Sequence, residues 1–291
     1  MAFHSAGLFG RYQDGRYQDR AVEETILSLQ SFLEGRGLRV FLGDTTASEI
    51  AGIRVEASGQ SLPETIDVGI VVGGDGTMLH VARTLADFGL PLIGINLGRL
   101  GFLADIPAEN MEQKLDEILR GDFIIEKRTM LSARVTQKDH VLAECTALND
   151  IFLSKGDTGR MIEFETKVGS QSVARTRSDG IIVATPTGST AYALSAGGPI
   201  LHPLLPAIVF APICPHTLGQ RPLVLDDQSQ IDIEIIDLAG APANFFVDGL
   251  RVLSLTGNEH IQIQRSTKVT RLVRSTTHNH YATLSSKLGW G

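Results

Sequence analysis

The chain has 291 residues, 43% hydrophobic and 20% charged, which is enough apolar material to bury a sizeable core and too much for a disordered polymer. Its 26 Lys and Arg against 33 Asp and Glu give a formal net charge of −7, so no overall field draws it to nucleic acid or an anionic membrane. Any anionic ligand must be held by local groups. The two cysteines, Cys145 and Cys214, form no CxxC or metal-ligand pair and are expected to be core residues. No apolar run approaches the ~18 residues needed to span a membrane, and no apolar leader follows a basic start, so a soluble cytoplasmic protein is expected.

In chain order, Gly7-Leu8-Phe9 reads as a short strand. The segment Arg11-Tyr12-Gln13-Asp14 recurs as Arg16-Tyr17-Gln18-Asp19 and reads as a polar loop before a helix. Val22, Ile26, Leu29 and Leu33 then fall on one helical face, closed by Gly35 and Gly37. Leu38 to Leu42 reads as a second strand and Ile66 to Val72 as a third. Met78, Val81, Ala82 and Leu85 follow at helical spacing, then a strand over Leu92 to Ile95, then a helix carrying Met111, Leu115, Ile118 and Leu119 up to Gly121. Alternating β and α predicts an α/β domain with a largely parallel sheet and flanking helices.

The pattern changes near Lys127 to Thr129. Ile162, Phe164, Thr166 and Val168 alternate with polar residues, as do Ile231, Ile233 and Ile235, and Ile261 and Ile263. Period-two alternation predicts half-buried strands and a β-rich, sandwich-like second domain. The expected division is residues 1–128, 129–273, and a tail over 274–291.

Three segments carry candidate chemistry. Gly73-Gly74-Asp75-Gly76-Thr77 follows an apolar strand and opens an amphipathic helix. Such a turn exposes backbone N–H groups and a helix N-terminus, both suited to phosphate. It is neither GxxxxGK[ST] nor GxGxxG, because Gly-Lys never occurs and Leu79 stands at the third glycine. An Asp among glycines suits a carboxylate beside phosphates, as a base or through a metal. A plain βα turn capped by Asp75 fits the spacing too. The second segment runs from Arg177-Ser178-Asp179-Gly180 through an apolar strand into Thr185-Pro186-Thr187-Gly188-Ser189-Thr190-Ala191-Tyr192, with a short helix expected near Thr190. It suits anions or ribose hydroxyls, or a hairpin turn and a capped helix. The third is Asn149-Asp150, an amide and a carboxylate able to read an adenine edge or a ribose diol, or to make an Asx turn. Ala193-Leu194-Ser195-Ala196-Gly197 also loosely matches a nucleophile elbow, which would make the chain a hydrolase.

The GGDGT run resembles the signature shared by NAD kinases, diacylglycerol and sphingosine kinases and phosphofructokinases. Further blocks select the NAD kinase family. Asn96-Leu97-Gly98-Arg99-Leu100-Gly101-Phe102-Leu103 resembles its NxGxLGFL segment, Asn149-Asp150 its NE/ND pair, and Asp179 through Gly198 its longest block. Pro215-His216-Thr217-Leu218, Arg221-Pro222-Leu223 and Leu284 through Trp290 resemble later blocks, the last of them typical of proteobacterial members.

This resemblance implies an α/β domain, a β-rich domain and a tail that returns to the first. It implies ATP and NAD as substrates, a divalent cation such as Mg, no tightly bound organic cofactor, no nucleic-acid or membrane partner, and a homodimer or homotetramer. Asp75 resembles the catalytic aspartate that engages the acceptor hydroxyl, with Gly74, Gly76 and Thr77 beside the phosphates. Asn149 and Asp150 would hold the adenine and a ribose. Arg177 would lie near the product's 2′-phosphate. Asp179, Ala184, Thr190, Ala191, Tyr192 and Ser195 would line the dinucleotide, and Arg160 would reach it with a basic group. No residue is assigned as a protein metal ligand. His278-Asn279-His280 falls in the tail block rather than in a metal site, and His216 reads as a turn-stabilising residue. The family's DGQ is here Asp248-Gly249-Leu250, which removes one amide. A lipid kinase would need an apolar acceptor pocket or a membrane-binding helix, which the sequence lacks. A non-catalytic NADP sensor would have no use for Asp75.

Overall fold

The computed structural model describes residues 2–13, 16–17, 19–45, 65–98, 100–138, 140–156 and 159–290. Two compact units emerge: 1–127 with 270–291, and 128–269.

In the first unit, β1 (Ser5–Gln13), β3 (Arg39–Thr45), β4 (Val68–Val72) and β5 (Pro91–Asn96) form a parallel sheet in the order β3-β1-β4-β5. Between β1 and β3 in sequence comes β2 (Arg16–Tyr17), which pairs antiparallel with the end of β1 through Tyr12 and Gln13. The repeated Arg-Tyr-Gln segment is thus a strand pair rather than the expected loop, since each copy brings a β-favouring tyrosine. Asp14 and Gln18 lie outside the described residues. β5 also pairs in parallel with β6 (Ile106–Pro107).

Helices follow strands of this sheet. α1 (Arg20–Glu34) is capped by Asp19, whose side chain accepts from the Ala21 N–H, and buries Val22, Ile26, Leu29, Phe32 and Leu33. α2 (Asp75–Thr84) buries Met78, Val81 and Ala82. α3 (Met111–Arg120) ends at Gly121, whose left-handed φ of 104° is open to glycine at little cost. The apolar faces of α1 and α3 close over Leu8, Ile70, Ile93 and Ile95. β4 is buried along its whole length, as a strand covered on both faces must be.

The second unit is a two-sheet sandwich. In chain order the strands are β7 (Phe123–Gln137), β8 (His140–Ala147), β9 (Asp150–Ser154), β10 (Ile162–Val168), β11 (Gln171–Ser178), β12 (Gly180–Ala184), β13 (Ala207–Ile213), β14 (Leu223–Asp226), β15 (Ile231–Asp237), β16 (Ala243–Val247), β17 (Leu250–Leu255) and β18 (Glu259–Ser275). One sheet is antiparallel, in the order β14-β13-β12-β9-β16-β17. In the other, β10 and β15 begin with buried residues at every second position. β11-β10-β15-β18 form one antiparallel run, and β7 pairs with β8 and β18. Phe164, Ile231, Ile233, Ile261 and Ile263 face Ile151, Leu153, Ile181, Val183 and Phe245 in a common core. A second apolar layer, Ile182, Ala184, Ala193, Val209 and Ala211, covers the other face of the six-stranded sheet.

β7 and β18 cross the division between units. The end of β18 pairs in parallel with β5 through Arg271 and Leu272. The chain then closes with α5 (His280–Leu288), capped by Asn279 and ended by Gly289 in the left-handed region. The four-residue helix α4 (Tyr192–Ser195) and a 3-10 turn over Gly188–Thr190 occupy the segment where a short helix is expected.

Candidate active site

The GGDGT run places Asp75 at the first residue of α2, with Gly74 as the N-cap. An acidic group there meets the positive end of the helix dipole. The side chain does not cap its own helix. It reaches instead to the 101–104 loop, where Oδ2 accepts from the Phe102 N–H at 2.9 Å and Oδ1 from Leu103 at 3.0 Å and Ala104 at 3.1 Å. A carboxylate offers about four acceptor positions, so these bonds fix its plane and leave room for one further donor. The half-buried Asp75 is thus an oriented group beside solvent.

The NxGxLGFL segment is the other half of this arrangement. Asn96, buried at the end of β5, accepts from the Gly98 N–H at 2.7 Å and donates to the Ala104 carbonyl at 3.2 Å. A Cβ on Gly101 would stand 2.1 Å from Asp75 Oδ1, so only glycine allows the loop to approach. At Gly73, with φ +150°, a Cβ would meet Thr77 Oγ1 at 2.7 Å. At Gly74 and Gly76 it would meet nothing within 4 Å. The last two glycines therefore leave one side of the Asp75 turn open.

A second cluster lies wholly within the second unit. Asp248, at the tight β16–β17 turn with φ 47°, accepts from the N–H groups of Leu148 (3.0 Å), Asn149 (2.7 Å) and Asp150 (3.1 Å). Its own N–H donates to the Asp150 carbonyl at 2.9 Å. From the other side, Thr185 donates through Oγ1 to the Leu148 carbonyl at 2.6 Å, and its N–H donates to the Asn149 carbonyl at 2.8 Å. Gly188 packs so closely that a Cβ would stand 2.1 Å from the Asn149 carbonyl oxygen. The Asn149-Asp150 pair and the TPTGSTAY block are therefore one structure, shaped by Asp248.

Asp150 is 4% exposed. Burial, together with the negative charge of Asp248, raises its carboxyl to about 7, against the favourable backbone N–H of Tyr192. It therefore sits between charged and neutral forms near neutral pH. A ligand hydroxyl that donates to it would favour the charged form. Tyr192 is exposed, its ring edge-on to Phe152 at 5.0 Å, and Phe152 stacks on Phe246 at 4.5 Å.

The other expected site residues are distributed as follows. Thr190 bonds back to the Thr187 carbonyl, and Ala191 precedes α4. Ser195 is the exposed last residue of α4, so it does not sit in a strand-to-helix elbow and the hydrolase reading lacks its geometry. Ala184 is fully buried and pairs with Asp150 across β12 and β9. Asp179 is held by Lys155 at 2.7 Å. Arg177 and Arg160 are both exposed. The Arg177 carbonyl accepts from the exposed His216 N–H, which fits a turn role for that segment. Cys145 is half-buried, but Cys214 is exposed with φ 45°, so the core expectation fails there because it sits in a turn beyond β13. Arg99 lies outside the described residues.

Sequence reasoning missed Asp248 as a shaping group, looking instead at the absent amide at Leu250. It also missed Arg128, 3% exposed, whose Nη1 donates to Thr187 Oγ1 at 3.3 Å. Among the described residues no group of three or more His, Cys, Asp or Glu converges as a metal cage. None of the described helices is long and apolar enough to cross a membrane.

Two family models, curated relatives and solved structures match the chain. The model of the ATP-NAD kinase N-terminal domain matches residues 31–123, and that of the ATP-NAD kinase C-terminal domain matches residues 148–275. The NAD kinase of Aromatoleum aromaticum is 45% identical over 278 residues, covering 95% of this chain and 92% of that protein. The NAD kinase of Thiobacillus denitrificans is 40% identical over 292 residues, covering 100% and 98%. Among solved structures, yeast NADH kinase complexed with NADH aligns with a TM-score of 0.84 at 25% identity, covering 100% of this chain and 89% of that one. An NAD kinase from Archaeoglobus fulgidus in complex with ATP aligns with a TM-score of 0.74 at 26% identity, covering 97% and 99%. With both halves of the chain matched and relatives 40% to 45% identical along nearly its whole length, the chain belongs to the ATP-NAD kinase family.

Proposed function

We propose that the chain transfers the γ-phosphoryl group of ATP to the 2′-hydroxyl of the adenosine ribose of NAD, forming NADP, and that Asp75 engages that hydroxyl. One observation carries the reading: Asp75 is a carboxylate aimed by three backbone N–H groups, with one acceptor position left and bare glycines on its open side. A ribose hydroxyl is a poor nucleophile at neutral pH. It must be aligned with the γ-phosphorus and must release its proton as the new O–P bond forms and the bond to ADP breaks. A carboxylate fixed in plane serves both needs.

The remaining roles are assigned by chemistry. Asn149 and Asp150 bind the adenine and a ribose through an amide and a carboxylate whose backbone is pinned by Asp248. Gly74, Gly76 and Thr77 accommodate phosphates. Asp179, Ala184, Thr190, Ala191, Tyr192 and Ser195 line the dinucleotide. Arg177 and Arg160 are exposed guanidiniums suited to phosphate. An ATP-dependent kinase uses a divalent metal. Mg would arrive as Mg·ATP, held chiefly by phosphate oxygens and water. Residues 274–291 act as a tail belonging to the first unit, and the working form is a cytoplasmic homodimer or homotetramer.

The test is a coupled assay for NADP from ATP and NAD, with and without magnesium, with phosphorus NMR to locate the new phosphate. Phosphate at a position other than the adenosine 2′-oxygen, or turnover of diacylglycerol in preference to NAD, would overturn the reading.

A further inference from the structure

The loop that holds Asp75 has a second face. Its N–H groups at 102–104 point to Asp75, while its carbonyls at Phe102 and Leu103 accept hydrogen bonds from Arg274, through Nη2 at 2.7 Å and Nη1 at 2.9 Å. The peptide unit between residues 102 and 103 therefore has its C=O on Arg274 and its N–H on Asp75 Oδ1. The unit between 103 and 104 has the same arrangement, ending on the same oxygen. Two peptide groups thus link one guanidinium to one carboxylate oxygen. A peptide whose carbonyl accepts from a cation is a stronger N–H donor, so the bonds in each chain reinforce one another.

Arg274 is 1% exposed, near the end of β18. A guanidinium so buried needs compensating charge, which Asp105 at 2.6 Å and Glu126 at 3.4 Å provide. His278 Nδ1 meets the other Asp105 oxygen at 2.9 Å. Burial pushes the Asp105 carboxyl up, but the His278 hydrogen bond and the Arg274 charge outweigh it and hold the group below the ordinary carboxylate value. Asp105 is thus a stable counter-ion. The planar fork of arginine can grip two successive carbonyls while pairing with two carboxylates; the point charge of lysine cannot.

We infer that Arg274 is a positioning residue for phosphoryl transfer, holding the 102–104 peptide groups so that they aim Asp75. The inference rests on the reading of Asp75 as the group that engages the acceptor hydroxyl. The competing account is that Arg274 only anchors the tail through Asp105.

The full chain tests both in a double-mutant cycle of Asp75→Asn and Arg274→Gln, reading kcat and the KM for NAD. Arg274→Gln should lower kcat about 10- to 100-fold and change KM by less than about threefold, because misaligning a reacting group costs rate more than binding. In the Asp75→Asn background the same change should alter kcat by less than about twofold, since nothing remains to be aimed. His278→Gln, which loosens the tail but leaves the fork, should lower Tm with kcat within about twofold of wild type. Additive losses across the cycle, or a kcat loss in His278→Gln as large as in Arg274→Gln, would overturn the positioning role. If Arg274→Gln does not fold, Arg274→Lys replaces it: the charge remains but one carbonyl is released, and kcat should still fall by about fivefold or more. A wild-type rate in Arg274→Lys would overturn the inference. A wild-type rate in Asp75→Asn would overturn the reading of Asp75 itself, separately from Arg274.

Discussion

Each unit contains a carboxylate bound by the N–H groups of three successive residues. Asp75 is held by 102–104 and Asp248 by 148–150. The bonding is nearly the same, but the surroundings differ. Behind the 102–104 loop lies a buried guanidinium, and around Asp75 lie open glycines. Beside Asp248 lies a buried carboxylate, Asp150, whose pKa is raised by its own burial and by the Asp248 charge. In the first unit a loop is used to aim a carboxylate; in the second a carboxylate is used to shape a loop. An Asp-Gly pair can therefore stand in an open turn or brace a closed one, and only its neighbours tell which.

The largest break in that comparison should come from Asp75→Asn. Asn keeps the shape and the two bonds at one oxygen but cannot accept the hydroxyl proton, so kcat should fall by roughly 10²–10⁴-fold. The fold should persist, with NAD binding within a few-fold, which calorimetry on the purified variant can check. A near-wild-type rate would remove Asp75 from the reaction centre.

Gly101→Ala should come next. Its Cβ would overlap Asp75, so either the loop or the carboxylate must move, and a displacement of about 1 Å at a reacting group costs on the order of 100-fold in rate. Steady-state kinetics with unchanged circular dichroism would show it. Full activity would mean that the aim of Asp75 is not critical.

Asp248→Ala should act on the other side of the comparison. It releases three N–H groups at the Asn149-Asp150 turn, so NAD affinity should fall by about 10-fold or more, corresponding to ~1–3 kcal/mol for lost polar partners. The kcat at saturating NAD should change much less. A variant with normal affinity but low kcat would exchange the assigned roles of the two carboxylates.

Asp150→Asn sharpens the electrostatic half. The Asp150 carboxyl is raised in the folded state, so the fold binds this proton more tightly than the unfolded chain does. Its stabilising effect is complete below the ordinary Asp range and disappears as pH rises from about 4 to about 7. Asn mimics the protonated form at every pH. Relative to wild type, Asp150→Asn should therefore gain stability between pH 5 and pH 8, by on the order of 2 kcal/mol. Urea unfolding at both pH values measures it, and an equal difference at each would refute the raised pKa.

The smallest effect should be Arg177→Ala. An exposed guanidinium that meets only the product's 2′-phosphate should weaken NADP binding by about 10-fold and leave NAD nearly unchanged. Equal losses for both ligands in calorimetry would count against that contact.

Much of this was legible in the chain itself. The helical spacing of Val22, Ile26, Leu29 and Leu33, and the alternation through Ile231, Ile233 and Ile235, gave the two architectures, because side-chain periods of 3.6 and 2 record which face is buried. The motif blocks gave the family and marked Asp75, Asn149 and Asp150. Local turns were harder. The Arg-Tyr-Gln repeat pairs as strands and Cys214 faces solvent, since neither outcome leaves a periodic trace.

What lay beyond the sequence were the contacts between segments far apart in it. Asp75 meets Phe102 to Ala104 across 27 to 29 positions, Asp248 meets Leu148 to Asp150 across 98 to 100, and Arg274 reaches Phe102 across 172. The partners there are backbone N–H donors and C=O acceptors, which nearly every residue carries and no residue type announces. Their direction follows only from the packed chain, and so does the difference in surroundings between Asp75 and Asp248.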